Sequence, residues 1–191
     1  MKILFISLGC DKNLADSEEM LGLLTGNGHE IVDSEEEADA IVINTCCFIH
    51  DAKEESVNTI LEMAEYKKTG TCKILIVTGC MAQRYKEEIT EEIPEVDAVL
   101  GTTSYGDIVK ALNEAEAGHV FREFKDINAL PEDSGRRVIT TGGHFGYLKI
   151  AEGCDKHCTY CIIPSLRGKF RSVPEERLLK QAEYMASQGV R

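Results

Sequence analysis

Three thiols fall within eight residues, at Cys154, Cys158 and Cys161 of the stretch Gly153-Cys154-Asp155-Lys156-His157-Cys158-Thr159-Tyr160-Cys161. Thiolates are soft ligands, and a Cys-x3-Cys-x2-Cys loop suits an iron–sulfur cluster or zinc. A structural zinc site wants a fourth ligand. His157 is on offer, but it sits directly beside Cys158, where simultaneous ligation is awkward. A [4Fe–4S] cluster held by only three thiolates keeps one iron open to a substrate. Electron carriers ligate their clusters with four thiolates, and no fourth is obvious here. Two other readings stay open beside a catalytic cluster: a two-cluster electron-transfer protein, and a zinc-stabilised adaptor.

A second set is dispersed. Cys10 follows the apolar run 2–8, Cys46 follows 38–45, and Cys80 follows 73–79. Each lies just past the carboxyl end of an expected strand and just before an expected helix. If those strands are neighbours in one parallel sheet, ~4.8 Å apart, their ends span about 10 Å. Three thiols there can converge on one inorganic cluster, in the crevice where open α/β sheets place ligands. Gly9 and Gly79 precede two of the thiols and let a bulky group approach the backbone, and helix N-termini nearby offer N–H groups. The plainer reading is that these are buried small hydrophobes. It suits Cys72, which precedes its strand, and Cys47, the neighbour of an expected ligand. A disulfide between adjacent Cys46 and Cys47 would be strained.

The elements that must position these thiols alternate strand and helix over residues 1–117. KILFISL (2–8), HEIVDS (29–34), ADAIVINT (38–45), KILIVTG (73–79) and VDAVLG (96–101) read as five strands. Helices are expected over 17–24, opening on a capping Ser17 with two acids in its first turn, and over 52–68, 82–92 and 105–117. Continuous apolar strands separated by helices mean a parallel sheet covered on both faces. The expected fold class is α/β: a flavodoxin-like five-stranded parallel sheet of order 2-1-3-4-5 with helices on both faces. Residues 118–146 read as a linker with room for short strands. Residues 147–150 read as a strand leading into the cysteine loop, and a helix is expected from about Pro174 to Gln188.

The chain has 191 residues and a net charge of −12. Residues 1–146 carry 13 Lys and Arg against 28 Asp and Glu, and residues 147–191 carry 8 against 5. The acidic part repels nucleic-acid phosphate, which argues against DNA as partner and makes tRNA a poorer one. No apolar run is long enough to span a membrane. The opening MKILFISLGC imitates a lipoprotein signal, but its apolar part is too short. Eight cysteines without an export signal point to the reducing cytoplasm.

The surroundings of the thiols narrow the expectation. Tyr147-Leu148-Lys149-Ile150-Ala151-Glu152-Gly153-Cys154, then Cys158-Thr159-Tyr160-Cys161-Ile162-Ile163-Pro164 and Arg167-Gly168, resemble the radical S-adenosylmethionine (SAM) methylthiotransferase family. So do Ser7-Leu8-Gly9-Cys10-Asp11-Lys12-Asn13-Leu14-Ala15-Asp16-Ser17-Glu18, Asn44-Thr45-Cys46 and Thr78-Gly79-Cys80-Met81-Ala82-Gln83. The resemblance covers essentially the whole chain. It implies two [4Fe–4S] clusters: one on Cys154, Cys158 and Cys161, whose open iron binds SAM for reductive cleavage to a 5′-deoxyadenosyl radical, and one on Cys10, Cys46 and Cys80, which handles the sulfur to be installed. Tyr160 matches the position beside the adenine, with ordinary packing as its alternative. A second SAM supplies the methyl group, and an electron donor such as flavodoxin or ferredoxin is implied.

Two branches of that family differ in acceptor. One modifies an aspartate of small-subunit ribosomal protein twelve, the other a tRNA adenosine. Lys12 and Ser165 match the ribosomal branch, whereas Asp11 departs from its usual Pro. The acidic N-terminal region agrees with a basic protein partner. The resemblance divides the chain into an N-terminal domain (1–117), the linker (118–146) and the start of a radical SAM core (147–191). That core is expected to hold only the first βα unit of a truncated partial TIM-type barrel, since a full barrel takes ~250 residues. On this reading the chain is a piece of a longer enzyme, inactive alone. Its last 45 residues would then lack neighbours to bury them.

Overall fold

A computed structural model of the chain describes residues 1–132 and 135–191. Asp133 and Ser134, inside the expected linker, lie outside the described residues. Six parallel strands form the main sheet: β1 (Lys2–Ser7), β2 (Glu30–Val32), β3 (Ala40–Thr45), β4 (Ile74–Gly79), β5 (Ala98–Leu100) and β6 (Phe121–Glu123). Their order is β2-β1-β3-β4-β5-β6. The expected flavodoxin-like order holds, with one strand more than the five expected. The sixth, β6, lies within residues 118–146 and pairs Phe121 with Ala98 and Glu123 with Leu100. Three residues with only Phe121 and Val120 apolar give too short a pattern to mark a strand in sequence; the open edge of β5 recruits it.

The helices of this domain are α1 (Asp11–Gly26), α2 (His50–Thr69), α3 (Cys80–Arg84), α4 (Lys86–Glu92) and α5 (Ile108–Glu116). Two apolar layers sandwich the sheet. On one face Leu4, Ile41, Ile43, Leu75 and Val77 pack against Ile60 and Met63 of α2 and Ile89 of α4. On the other, Ile3, Val42 and Ile76 pack against Met20 and Leu24 of α1 and Ile108 and Leu112 of α5. Burial on both faces is why β3 and β4 are apolar without alternation. Among the described residues no helix is long and apolar enough to cross a membrane.

The first helix starts six residues earlier than expected, at Asp11 rather than Ser17. Ser17, Glu18 and Glu19 are not a capped first turn facing water; all three are buried. Glu18 takes its partners from beyond residue 134. Arg137 Nε donates to Glu18 Oε2 at 2.8 Å and its Nη2 forms an ion pair with the same oxygen at 2.6 Å, and the Thr140 amide and hydroxyl donate to Glu18 Oε1 at 2.7 and 2.8 Å. The Val138 amide donates to the Glu18 carbonyl at 3.0 Å. Glu19 accepts a 3.2 Å hydrogen bond from the buried Tyr105 hydroxyl. Acids that read as a dipole-favoured helix start are thus the anchors of a strap laid across α1.

The remaining elements are β7 (Ala151–Glu152), α6 (Ile163–Arg167), β8 (Arg171–Ser172) and α7 (Glu175–Ser187). The expected helix after Pro174 forms, with Pro174 as its N-cap. The strand expected at 147–150 does not. Instead β7 begins at Ala151 and pairs antiparallel with β8. Lys149 is drawn out of any ladder by its charge, which pairs with Asp16 of α1 and, at 2.8 Å, with Glu152. Nor does this region lack neighbours: Leu166 is buried in the α2-side core, and Arg167 and Glu152 are buried against α1.

Two predictions follow from the strap. Gly22 lies in the middle of α1, where alanine ordinarily stabilises by about 1 kcal/mol. A Cβ there would lie 2.7 Å from backbone atoms of Arg136 and Arg137. Gly22→Ala is therefore expected to destabilise by about 1–3 kcal/mol in urea denaturation; a stabilised variant would place the strap elsewhere. Burial raises the Glu19 carboxyl above its ordinary value, more than Lys149 lowers it. Its ionised form is the one folding disfavours, so stability falls as pH rises from the ordinary carboxylate value through the raised one. Glu19→Gln should unfold at higher temperature than the parent at neutral pH, with the gap closing in acid; a constant gap would contradict this.

Candidate metal centre

The ends of β1, β3 and β4 deliver the first thiol set. Cys10 is the N-cap of α1, with its carbonyl accepting from the Leu14 amide at 3.0 Å. Cys46 directly follows β3. Its amide donates to Ser56 Oγ of α2 at 3.0 Å, and that hydroxyl donates back to the Cys46 carbonyl at 2.8 Å. Cys80 follows β4 and opens α3. Because β1, β3 and β4 are adjacent, the three thiols line one cavity of about 520 Å³, walled mainly by apolar groups that include Phe48, Ile49 and Leu166, with Lys12 and Arg167 as its charged members. Cys10 is exposed at its mouth, whereas Cys46 and Cys80 are buried.

Glycine is required at two points of this wall. Gly9 has φ +93°, and a Cβ on it would lie 2.6 Å from Cys46 Cβ and 2.9 Å from Cys46 Sγ. Gly79 also has φ +93°, and a Cβ there would lie 2.5 Å from the Thr45 carbonyl oxygen. Both residues occupy backbone space that an L side chain rarely adopts. Among the described residues no three His, Cys, Asp or Glu side chains close around a single ion-sized point. A cubane is larger than an ion and spreads its thiolates, so three soft donors around a roomy, largely apolar cavity fit that group.

Cys47 and Cys72 are buried in the core, as their positions in sequence led one to expect. Cys47 Sγ donates to the Cys80 carbonyl at 3.3 Å, and burial pushes its thiol up to about 12. Cys72 Sγ donates to the Ile74 carbonyl at 3.3 Å, and burial raises its thiol too.

Sequence reasoning gave no role to the polar residues that lock this cradle. Asn13 is fully buried. Its Nδ2 donates to the Leu8 and Thr45 carbonyls at 3.0 and 2.9 Å, tying the loop after β1 to the end of β3. Its Oδ1 faces Cys80 Sγ at 3.7 Å and accepts from Arg167 Nη2 at 2.5 Å. Asn44 Nδ2 donates to the Asn13 carbonyl and to Ser17 Oγ, both at 2.9 Å. Asn13, Asn44 and Ser17 all stood inside the quoted motifs, which was the available signal.

The second thiol set sits on the loop between β7 and α6. Cys158 is exposed, and Cys154 and Cys161 are half-buried. The Cys154 amide donates to the Gly168 carbonyl at 3.1 Å and the Cys161 amide to the Cys158 carbonyl at 3.0 Å, so the loop is pinned at its base and turned near its end. Gly153 and α6, which flank this loop, also line the cavity of the first set. Tyr160 is 90% exposed. Behind the loop, burial would raise the Glu152 carboxyl, but Lys149 and Arg167 outweigh it and hold it down at about 2.

Fold and site together define an open α/β domain with a thiol-lined crevice at the carboxyl ends of its central strands, carrying a second cysteine loop beside it. Residues 2–101 match the family described as "Uncharacterized protein family UPF0004", and the chain belongs to that family. It is 64% identical over its whole length to the ribosomal protein uS12 methylthiotransferase RimO of Lachnoclostridium phytofermentans, and spans 43% of that protein. It is 50% identical over 191 residues to the protein of that name from Clostridioides difficile, and 49% identical over 197 aligned residues to that from Acetivibrio thermocellus, again spanning 43% of each. The resemblance to methylthiotransferases read from the motifs is borne out.

The burial pattern predicts an order of thiol reactivity in the cluster-free chain. Cys10 and Cys158 should alkylate first under native conditions, and Cys47 and Cys72 only on unfolding. Peptide mapping after a short iodoacetamide pulse reads this directly, and early labelling of Cys47 would contradict the placement of its side chain.

Proposed function

We propose that this chain supplies both cluster cradles of a methylthiotransferase that modifies an aspartate of small-subunit ribosomal protein twelve. The observation that carries the reading is the convergence of Cys10, Cys46 and Cys80 on one cavity whose far wall belongs to the segment bearing Cys154, Cys158 and Cys161. Each set offers three thiolates, which leaves an iron of each [4Fe–4S] cluster unligated by protein. When bound, the clusters and SAM supply reductive radical generation at the second set and a sulfur-handling centre at the first.

The residues of the chain do the rest by placement. Gly9 and Gly79 let the first centre sit against the backbone, and Asn13 and Ser56 hold the loops that present its ligands. The loop 153–161 presents its thiols at the surface, where SAM can reach an open iron. Tyr160, extended into solvent, offers a ring face to the adenine. Phe48, Ile49 and Leu166 give the cavity an apolar wall. The relatives' shared name supports a ribosomal-protein acceptor over tRNA, and so does the charge: an acidic domain attracts a basic ribosomal protein and repels RNA.

Anaerobic reconstitution followed by iron and acid-labile sulfide analysis tests the cofactor half. Two [4Fe–4S] equivalents are expected, falling to one when either Cys10, Cys46 and Cys80 or Cys154, Cys158 and Cys161 are replaced by Ser. Zinc without sulfide would overturn it. For the acceptor half, the mass of ribosomal protein twelve from cells lacking and re-expressing the gene should differ by one methylthio group replacing hydrogen. The same group appearing on tRNA instead would overturn the choice of acceptor.

A further inference from the structure

Arg167 belongs to neither thiol set, yet it touches the surroundings of both. It is the last residue of α6, six positions after Cys161, and its side chain is 4% exposed. The guanidinium turns back into the N-terminal domain. Nη1 donates to Asp16 Oδ2 at 2.7 Å and approaches Glu152 Oε1 at 3.5 Å; Nη2 donates to Asn13 Oδ1 at 2.5 Å. Cys80 Sγ lies 3.7 Å from that same Asn13 oxygen, and Arg167 lines the cavity with Cys10, Cys46 and Cys80.

A buried cation is expensive unless paired, and one carboxylate suffices to pair it. Arg167 has one close carboxylate, Asp16, which it shares with Lys149. Lys149 and Arg167 are thus paired directly with Asp16 and Glu152, with buried Glu19 attracting Lys149 from further off and half-exposed Lys12 adding a cation 3.7 Å from Glu152. The directly paired groups carry no net negative charge, and Arg167 lines the cavity of the thiols. A centre held by three thiolates is anionic and becomes more so on reduction.

We infer that Arg167 is a positioning residue for the centre on Cys10, Cys46 and Cys80: from the helix that follows the other cysteine loop, its buried charge stabilises the reduced form of that centre and raises its reduction potential. Charge and hydrogen bonding near the sulfurs are recognised determinants of cluster potential. The inference rests on the cluster reading proposed above. It adds that the chain segment bearing one thiol set tunes the other.

The test uses the full chain with Cys154, Cys158 and Cys161 replaced by Ser, so that the first centre is observed alone. After anaerobic reconstitution its midpoint potential is read by a redox titration followed by electron paramagnetic resonance. Arg167→Gln should shift the midpoint to more negative potential, and Arg167→Lys should recover most of the shift. Asp16→Asn, which removes the opposing charge and leaves Arg167 in place, should shift it to more positive potential. Opposite signs are the signature, because loosened packing alone would move both variants the same way. If the parent binds no iron and sulfide, the cluster reading fails and the inference with it. If the parent loads but the variants do not shift, or shift alike, the inference alone is overturned. Should Arg167→Gln fail to load, the sign from Asp16→Asn decides.

Discussion

Neighbouring parallel strands sit ~4.8 Å apart, and that spacing fixes what the carboxyl edge of this sheet can hold. The order β2-β1-β3-β4-β5-β6 places β1, β3 and β4 side by side, so residues that follow them meet whatever their separation in sequence. Cys10, Cys46 and Cys80 are far apart along the chain and share one cavity for this reason alone. The constraint also explains the two positive-φ glycines. A strand that ends in a ligand must turn at once, and the turn must leave the cavity open; at Gly9 a methyl group would occupy the space of the Cys46 side chain.

A second constraint acts between the sheet domain and the residues after 134. The contact is made less by apolar area than by charge. Glu18 with Arg137, and Asp16 and Glu152 with Lys149 and Arg167, are almost fully withdrawn from water. Buried pairs of this kind contribute little net stability, but losing one partner costs about 3–5 kcal/mol because the other is left uncompensated. Their effect is on register. An apolar strap could slide along α1; a strap whose Arg137, Thr140 and Lys149 must each find a particular carboxylate cannot. The same register sets the cysteine loop, since Lys149, Glu152 and Arg167 bracket it in sequence.

Most of the sheet was legible because double burial writes long apolar runs, and the thiols were legible because they stand at strand ends. What was not legible shares one physical cause. The start of α1 was misplaced because Ser17-Glu18-Glu19 carries the pattern of a solvated first turn, and nothing local reveals that Arg137 and Thr140 will bury Glu18. The strand expected at 147–150 was misplaced for the same reason: an alternation of apolar and polar residues says nothing of the carboxylates that claim Lys149. Asn13 and Asn44 read as ordinary loop and strand-end residues until the sheet brings their partners together. Long-range polar pairing has no period, so it escapes pattern reasoning. Short elements such as β6 escape it because three residues are too few to show one.

These pairings also relocate the acidic character of the domain. Asp16, Glu18 and Glu19 are spent internally against α1's strap and Tyr105, so they project no field into solvent. Exposed acids remain on both sides of the sheet: Glu54, Glu55, Glu62 and Glu65 of α2 and Glu87, Glu88, Glu91 and Glu92 of α4 on one, Glu116 of α5 on the other, with Asp155, Glu175, Glu176 and Glu183 further along the chain. The N-terminal end of α2 borders the thiol cavity through Phe48, Ile49 and Ala52. The carboxylates that fix the register of the strap and the cysteine loop are thus a different set from those that give the surface its negative charge.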